Sequence, residues 1–136
     1  MSYVGAYPRI TPEEAASKIP DGATVSFSGF AAAGAAKLVP RAIAARAREM
    51  HQKGKPYQIR VLTGSSSGDT IDEPLAEANA ISWRAPYQNS APLRRQINCQ
   101  EIEYIDMHLS GLSRTVQAGF FGAVDVAVIE ATDVTP

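Results

Sequence analysis

Val124-Asp125-Val126-Ala127-Val128-Ile129-Glu130-Ala131 decides how the rest of the chain reads. Valine and isoleucine dominate it, and branching at Cβ favours extended backbone. The run is apolar at neighbouring positions rather than strictly at alternate ones. A strand of that kind is covered on both faces, as in a parallel sheet. Residues 124–131 are therefore predicted to form a strand in the middle of a sheet. Parallel neighbours need crossovers, so helices should alternate with strands along the chain. Thr132-Asp133-Val134-Thr135-Pro136 follows directly and closes the sequence. A central strand should lead into another helix or loop, so the expectation is a truncated piece of a longer chain.

Working back towards the amino terminus, the alternation is present. Residues 108–119 are predicted helical, with Leu109, Leu112 and Val116 at helical spacing. Residues 103–106 read as a short strand and 92–98 as a short helix, while 83–90 read as irregular with Pro86 as the breaker. Residues 71–80 form a helix, and 58–63 form a buried strand carrying Ile59, Val61 and Leu62. A longer helix is expected over 35–51, its regular part beginning at or just before Pro40, where a missing N–H costs little. Leu38, Ile43 and Met50 are spaced for its apolar face, and Arg41, Arg46 and Arg48 for solvent. Residues 23–28 alternate Val25 and Phe27 against Thr24, Ser26 and Ser28, which is a strand pattern. Pro20-Asp21-Gly22 is a turn. Thr11-Pro12-Glu13-Glu14 opens the first helix, with Thr11 as N-cap and Glu14 completing a capping box. The fold class is α/β, a mostly parallel open sheet flanked by helices, with residues 1–136 as a single domain.

Bulk properties narrow the function. The 136 residues are 45% apolar and 20% charged, enough for one domain with a real core. A net charge of -1 leaves no electrostatic footprint for nucleic acid or an anionic membrane. No apolar run reaches membrane-spanning length. Met1-Ser2-Tyr3-Val4-Gly5 is not the start of a secretory signal, so a cytoplasmic location is expected. Cys99 is the single cysteine, which excludes an internal disulfide, and it reads as a small core residue. His51 and His108 are far apart, and neither has a partner at metal-ligand spacing. His51 suits the last turn of its helix.

Two loops carry the candidate chemistry. Gly29-Phe30-Ala31-Ala32-Ala33-Gly34 joins a strand to a helix. Its backbone N–H groups can meet an anion, or its glycines can simply solve a tight turn. The spacing fits neither a dinucleotide fingerprint nor a P-loop. Gly64-Ser65-Ser66-Ser67-Gly68-Asp69 also follows a strand. It is either a ligand loop or a surface turn with Asp69 or Thr70 capping the next helix. Ligands of open α/β sheets bind beyond the carboxyl ends of strands, so both loops should share one edge. The serines lack a Gly-x-Ser-x-Gly elbow and a base, which excludes a hydrolase triad. Arg84-Ala85-Pro86-Tyr87-Gln88 reads as a ligand or interface surface, or as a loop pinned by Trp83 and Tyr87. Glu130 is either a buried, tuned carboxylate or a solvated group at the end of its strand. Asp125, at the other end, should be exposed. Two uncommitted readings stay open: a stand-alone nucleotide- or phosphate-binding domain, and a non-catalytic interaction module that pairs through its last strand.

The segments Val25-Ser26-Phe27-Ser28-Gly29-Phe30, Lys37-Leu38-Val39-Pro40 and Leu62-Thr63-Gly64-Ser65-Ser66-Ser67-Gly68-Asp69 resemble, in order, the acetyl-CoA hydrolase/transferase family. The resemblance continues through Ile81-Ser82-Trp83-Arg84-Ala85-Pro86-Tyr87-Gln88, Tyr104-Ile105-Asp106-Met107-His108-Leu109-Ser110 and Gly119-Phe120-Phe121-Gly122 into the last strand. It departs at Ala35-Ala36, where a proline is expected before the lysine. It implies the amino-terminal part of a longer, homo-oligomeric enzyme. Such an enzyme moves coenzyme A between small carboxylic acids of the acetate, propionate and succinate class, or hydrolyses acyl-CoA. Coenzyme A is then a substrate, and no permanent cofactor is needed. A glutamate becomes a glutamyl-CoA thioester, and the resemblance puts that glutamate in the carboxyl-terminal half, outside this chain. Glu130 does not match it. Gly29, Phe30, Gly34, Ser66, Ser67, Gly68 and Gln88 are the residues expected to wall the acyl or carboxylate pocket.

Overall fold

The capping box forms as expected. In the computed structural model, which describes residues 7–66 and 68–134, the Thr11 hydroxyl accepts from the Glu14 N–H at 3.1 Å. The Glu14 carboxylate in turn accepts from the Thr11 N–H at 2.7 Å. This starts α1 (Pro12–Ser17). Then follow β1 (Thr24–Phe27), α2 (Leu38–Gln52), β2 (Ile59–Thr63), α3 (Asp72–Glu77) and β3 (Ile81–Ala85). The rest is α4 (Ala91–Asn98), β4 (Glu103–Tyr104), α5 (Leu109–Gln117) and β5 (Val126–Val128).

The strands form one parallel sheet in the order β4-β3-β2-β1-β5. The chain steps outward from β1 to β4, then returns to the other side of β1. Such a reversal is a topological switch point, and it sits between β1 and β5. The helices divide accordingly. The larger core lies on one face, where Val25, Phe27, Ile59, Val61 and Ile81 meet Ala42, Ile43, Ala44, Ala47, Leu75 and Leu93. The alanines of α2 carry only a methyl group, so that helix approaches the sheet closely. The opposite face holds a smaller cluster of Leu62, Trp83, Ala85 and Phe121, with Leu112 and Val116 of α5 packed on it. Trp83 and Phe121 meet edge to face at 5.0 Å, and the Arg60 guanidinium covers the Trp83 ring at 4.5 Å. No residue of α5 is fully buried, so this face is the thinly covered one.

Several expectations need correction. Residues 83–85, expected to be irregular, belong to a largely buried strand over Ile81–Ala85. Ile81 and Trp83 favour extended backbone, and pairing with β2 outweighs the nearby Pro86. The predicted central strand is short, half-exposed, and at the edge of the described sheet. Its apolar side chains reflect strand propensity more than cover on both faces. The helix over α3 stops at Glu77, because Asn79 takes a left-handed conformation (φ 51°) that ends it. Neither Asp69 nor Thr70 caps α3, whose N-cap residue is Ile71 with no side-chain bond. Leu38 is exposed, because it lies in the first turn of α2 ahead of the sheet-facing stripe. Cys99 is exposed where α4 ends. Pro40 falls in the first turn of α2, where no intrahelical donor is required. Asp125 is exposed, as expected, and its carboxylate accepts from the Thr24 N–H at 2.8 Å.

Tyr57 joins the larger core to the α1–β1 turn. Its buried hydroxyl donates to the Ile19 carbonyl at 3.1 Å, and the Arg46 guanidinium lies over its ring at 5.1 Å. Burial raises its phenol pKa, against the opposing pull of Arg46. A raised folded pKa means that Tyr57 supports the fold fully below the ordinary tyrosine value. That support is lost as pH climbs through the higher folded value. Tyr57→Phe is expected to cost about 0.5–1.5 kcal/mol at neutral pH. It should also flatten the alkaline fall in stability, measured by urea denaturation at pH steps from neutral to strongly alkaline.

Candidate functional site

All five strands run the same way, so the segments leaving β1, β2, β3, β4 and β5 gather at one edge. The first of these sits at the switch point. Within it, Phe30 and Ala33 exchange two backbone hydrogen bonds, at 2.8 and 3.0 Å, closing a tight turn. Ala31 takes φ 52° inside that turn, and Gly34 takes φ 64° directly after it. Ser28 anchors its base. The Ser28 hydroxyl donates to the Gly34 carbonyl at 2.7 Å and accepts from the Glu130 N–H at 2.9 Å. The tip is held from the other side, where the Ala31 N–H donates to the Ser65 hydroxyl at 2.7 Å. Gly64 allows the approach, since a Cβ there would stand 3.3 Å from the Gly29 carbonyl oxygen. The two loops predicted to share an edge are therefore bonded to each other.

Beneath them lies a buried ion pair. Arg84 of β3 and Asp72 of α3 are both fully buried. Arg84 Nε donates to Asp72 Oδ1 at 2.8 Å and Nη2 donates to Oδ2 at 3.1 Å, a two-pronged fit of guanidinium to carboxylate. Further bonds from the guanidinium hold the end of β3 and the segment after it. Nη2 also reaches the Tyr87 carbonyl at 2.9 Å, and Nη1 reaches the Ala85 carbonyl. Ser66 extends the network into the second loop. Its hydroxyl donates to Asn89 Oδ1 at 2.6 Å and accepts from the Asn89 N–H at 2.9 Å. The Asp72 carboxylate is within reach at 3.3 Å. Gly68 passes so close that a Cβ would meet Asn89 Oδ1 at 3.0 Å.

A groove of about 520 Å³ opens at the switch point, lined by residues 36–39 and 128–131. Lys37 and Glu130 pair across it. Glu130 is thus a partly exposed carboxylate at the strand's carboxyl end, as its plainer reading held. A second groove of about 690 Å³ lies beyond β4, lined by Tyr87 and residues 106–110. Burial raises the Tyr104 phenol pKa, and Asp106 adds to it. The Tyr104 hydroxyl donates to the Pro86 carbonyl at 3.3 Å.

The predicted site residues separate by position. Gly29, Phe30 and Gly34 belong to the β1 loop, with Phe30 77% exposed. Ser66 is buried and its hydroxyl is engaged, so it shapes its loop from below. Gly68 packs against Asn89, Gln88 is partly buried, and Ser67 falls outside the described residues. Sequence reading missed Asp72 and Asn89; it placed Ser65 and Arg84 in candidate segments without their roles as loop clamp and buried ion-pair partner. The available signal was an arginine inside Ile81-Ser82-Trp83-Arg84-Ala85, a stretch too apolar to leave its charge in water. Arg84, not packing of Trp83 and Tyr87, pins the segment after β3.

Comparison with known proteins gives one answer. The family described as acetyl-CoA hydrolase/transferase N-terminal domain matches residues 1–136. The propanoyl-CoA:succinate CoA transferase of Escherichia coli (strain K12) is 51% identical over 128 residues, 94% of this chain and 26% of that protein. The succinyl-CoA:acetate CoA-transferase of Clostridium kluyveri is 36% identical over 126 residues, covering 93% and 23%. This chain thus spans about a quarter of the length of these relatives. Among solved structures, the acyl-CoA transferase apoenzyme from Escherichia coli O157:H7 matches with a TM-score of 0.64 at 21% identity, covering 82% of this chain and 22% of that one. That likeness concerns the fold.

Two substitutions test the edge. Arg84→Met leaves Asp72 buried without its countercharge and should cost about 3–5 kcal/mol by urea denaturation. Ser65→Ala removes only the clamp between the loops. It should leave global stability within about 1 kcal/mol of the parent, while the Ala31 amide loses protection against hydrogen exchange.

Proposed function

Because the chain belongs to the acetyl-CoA hydrolase/transferase N-terminal domain family, we propose that it is the amino-terminal domain of an enzyme moving coenzyme A between small carboxylic acids. The acids are of the acetate, propionate and succinate class. Coenzyme A is a substrate, carried as a thioester on a glutamate supplied by the carboxyl-terminal half. The observation that supports this reading most is the union of the β1 and β2 loops beside the switch point. The bond from the Ala31 N–H to Ser65 joins the two loops into one wall. A pocket for an acyl group needs such a wall, because reacting atoms must be held within a fraction of an ångström of their attack geometry.

In this reading Gly29, Phe30 and Gly34 face the acyl or carboxylate group. Ser66, Ser67, Gly68 and Gln88 form or support the adjoining wall. The Phe30, Ala31 and Ala33 N–H groups are bonded within the protein, so this loop offers a carboxylate a shaped wall rather than a row of free donors. Arg84 and Asp72 are positioning residues, fixing the β2 and β3 loops relative to each other. Glu130 pairs with Lys37, and this reading gives it no part in forming the thioester. A stand-alone phosphate-binding domain is less well supported, because the β1 loop lacks the glycine spacing that cradles phosphates.

The test has two arms. The full-length enzyme is expected to transfer coenzyme A from propanoyl-CoA or succinyl-CoA to acetate, followed by chromatography of the acyl-CoA products. Residues 1–136 alone, purified and assayed identically, are expected to give no transfer above the uncatalysed rate. Transfer by this chain alone would place a complete catalytic set within it and overturn the division of labour.

A further inference from the structure

Among the monocarboxylic members of the proposed substrate class, acetate and propionate differ by one methylene group beyond the reacting carboxyl. Telling them apart takes an apolar surface at a fixed distance from the reacting carboxyl. The three segments leaving β1, β2 and β3 are poor in such surface. Their residues are glycine, alanine, serine, threonine, aspartate, asparagine, glutamine and proline, with four exceptions: Phe30, Lys37, the fully buried Ile71, and Tyr87. Tyr87 carries a hydroxyl and lies beyond β3, away from the switch point. Phe30 is the purely apolar ring, and it stands beside the switch point.

Its setting is unusual for a ring left in water. Phe30 is 77% exposed, so it adds little to the core. Yet its backbone is held on every side. Both of its hydrogen-bonding groups are paired with Ala33, the next residue is clamped by Ser65, and the loop base is closed by Ser28 on Gly34. Ala31, next in sequence, accepts a left-handed conformation to keep the turn closed. A loop that merely connected β1 to α2 would not require a braced, exposed aromatic at its apex.

We propose that Phe30 is the specificity-determining residue for acyl-chain length, its ring capping the methylene end of the bound acyl group. This rests on the reading of this edge as the acyl pocket. A short acid fits beneath the ring, and each added methylene crowds it. One methylene in an apolar pocket is worth roughly 10–200-fold in discrimination, which sets the scale of the effect.

The experiment compares kcat/KM for acetyl-, propanoyl- and butanoyl-CoA in the full-length enzyme, with Phe30→Ala and Phe30→Trp. Phe30→Ala should raise the butanoyl-to-acetyl ratio about tenfold, and Phe30→Trp should lower it. Ratios that stay at the parent value in both variants overturn the proposal. So does an equal loss of activity on all three donors, which would mark Phe30 as an interdomain contact. The unsubstituted enzyme separates the two levels. Absence of coenzyme A transfer there sinks the proposed function and the size role together, whereas transfer with unaltered ratios sinks the size role alone.

Discussion

The bidentate pair between Arg84 and Asp72 is the interaction around which the functional edge is built. Both groups are withdrawn from water, and neither is tolerable there alone. The pair persists because each nitrogen of the guanidinium makes at least one hydrogen bond. Arg84 belongs to a strand, Asp72 to the helix that precedes it, and further bonds from the guanidinium reach the backbone at the end of β3 and after it. Ser66 and Asn89 then carry the order across to the β2 loop. A segment of small and polar residues, with little apolar surface of its own to bury, thereby acquires a defined shape. Packing alone would not supply this, because glycine and serine offer too few contacts to offset the entropy of ordering them.

Topology decides where that order is used. Parallel strands bring all their trailing segments to one edge, and the return of the chain to the far side of β1 opens a gap there. The β1 loop fills the rim of that gap and is braced by its neighbours on both sides, β5 through Ser28 and β2 through Ser65. The groove between α2 and β5, with Lys37 and Glu130 across it, is the same gap seen from the flank. The two faces of the sheet are unequal. One is sealed by α2, α3 and α4, while the other has only α5 and the Phe121 segment over Arg60 and Trp83.

Legibility in the sequence followed the kind of signal each residue carries. The capping box at Thr11 and the strands holding Val25, Phe27, Ile59 and Val61 were readable, because local propensity and periodicity agree with the tertiary outcome. β3 was not, because Pro86 and the arginine in Ile81-Ser82-Trp83-Arg84-Ala85 argue against a buried strand until Asp72 is known to stand opposite. The last strand misled in the other direction. Its valines promised a central position, but strand propensity and cover on both faces produce the same residues. Cys99 and Leu38 failed for a related reason, since apolar character states a preference and not an address. Within the site, the glycines and serines announced two loops, whereas the bond from Ala31 to Ser65 joins residues 34 positions apart and leaves no local trace.

The sequence by itself determined the class of fold, the order of most elements, and the family to which the loops belong. These are properties of short windows, written in periodicity, turn residues and motif order. Tertiary structure alone decided which residues meet: Arg84 with Asp72, Ser65 with Ala31, Ser66 with Asn89, Lys37 with Glu130. The physical reason is that a hydrogen bond or ion pair in a folded chain depends on distance in space. A parallel sheet places neighbours in space an entire crossover apart in sequence.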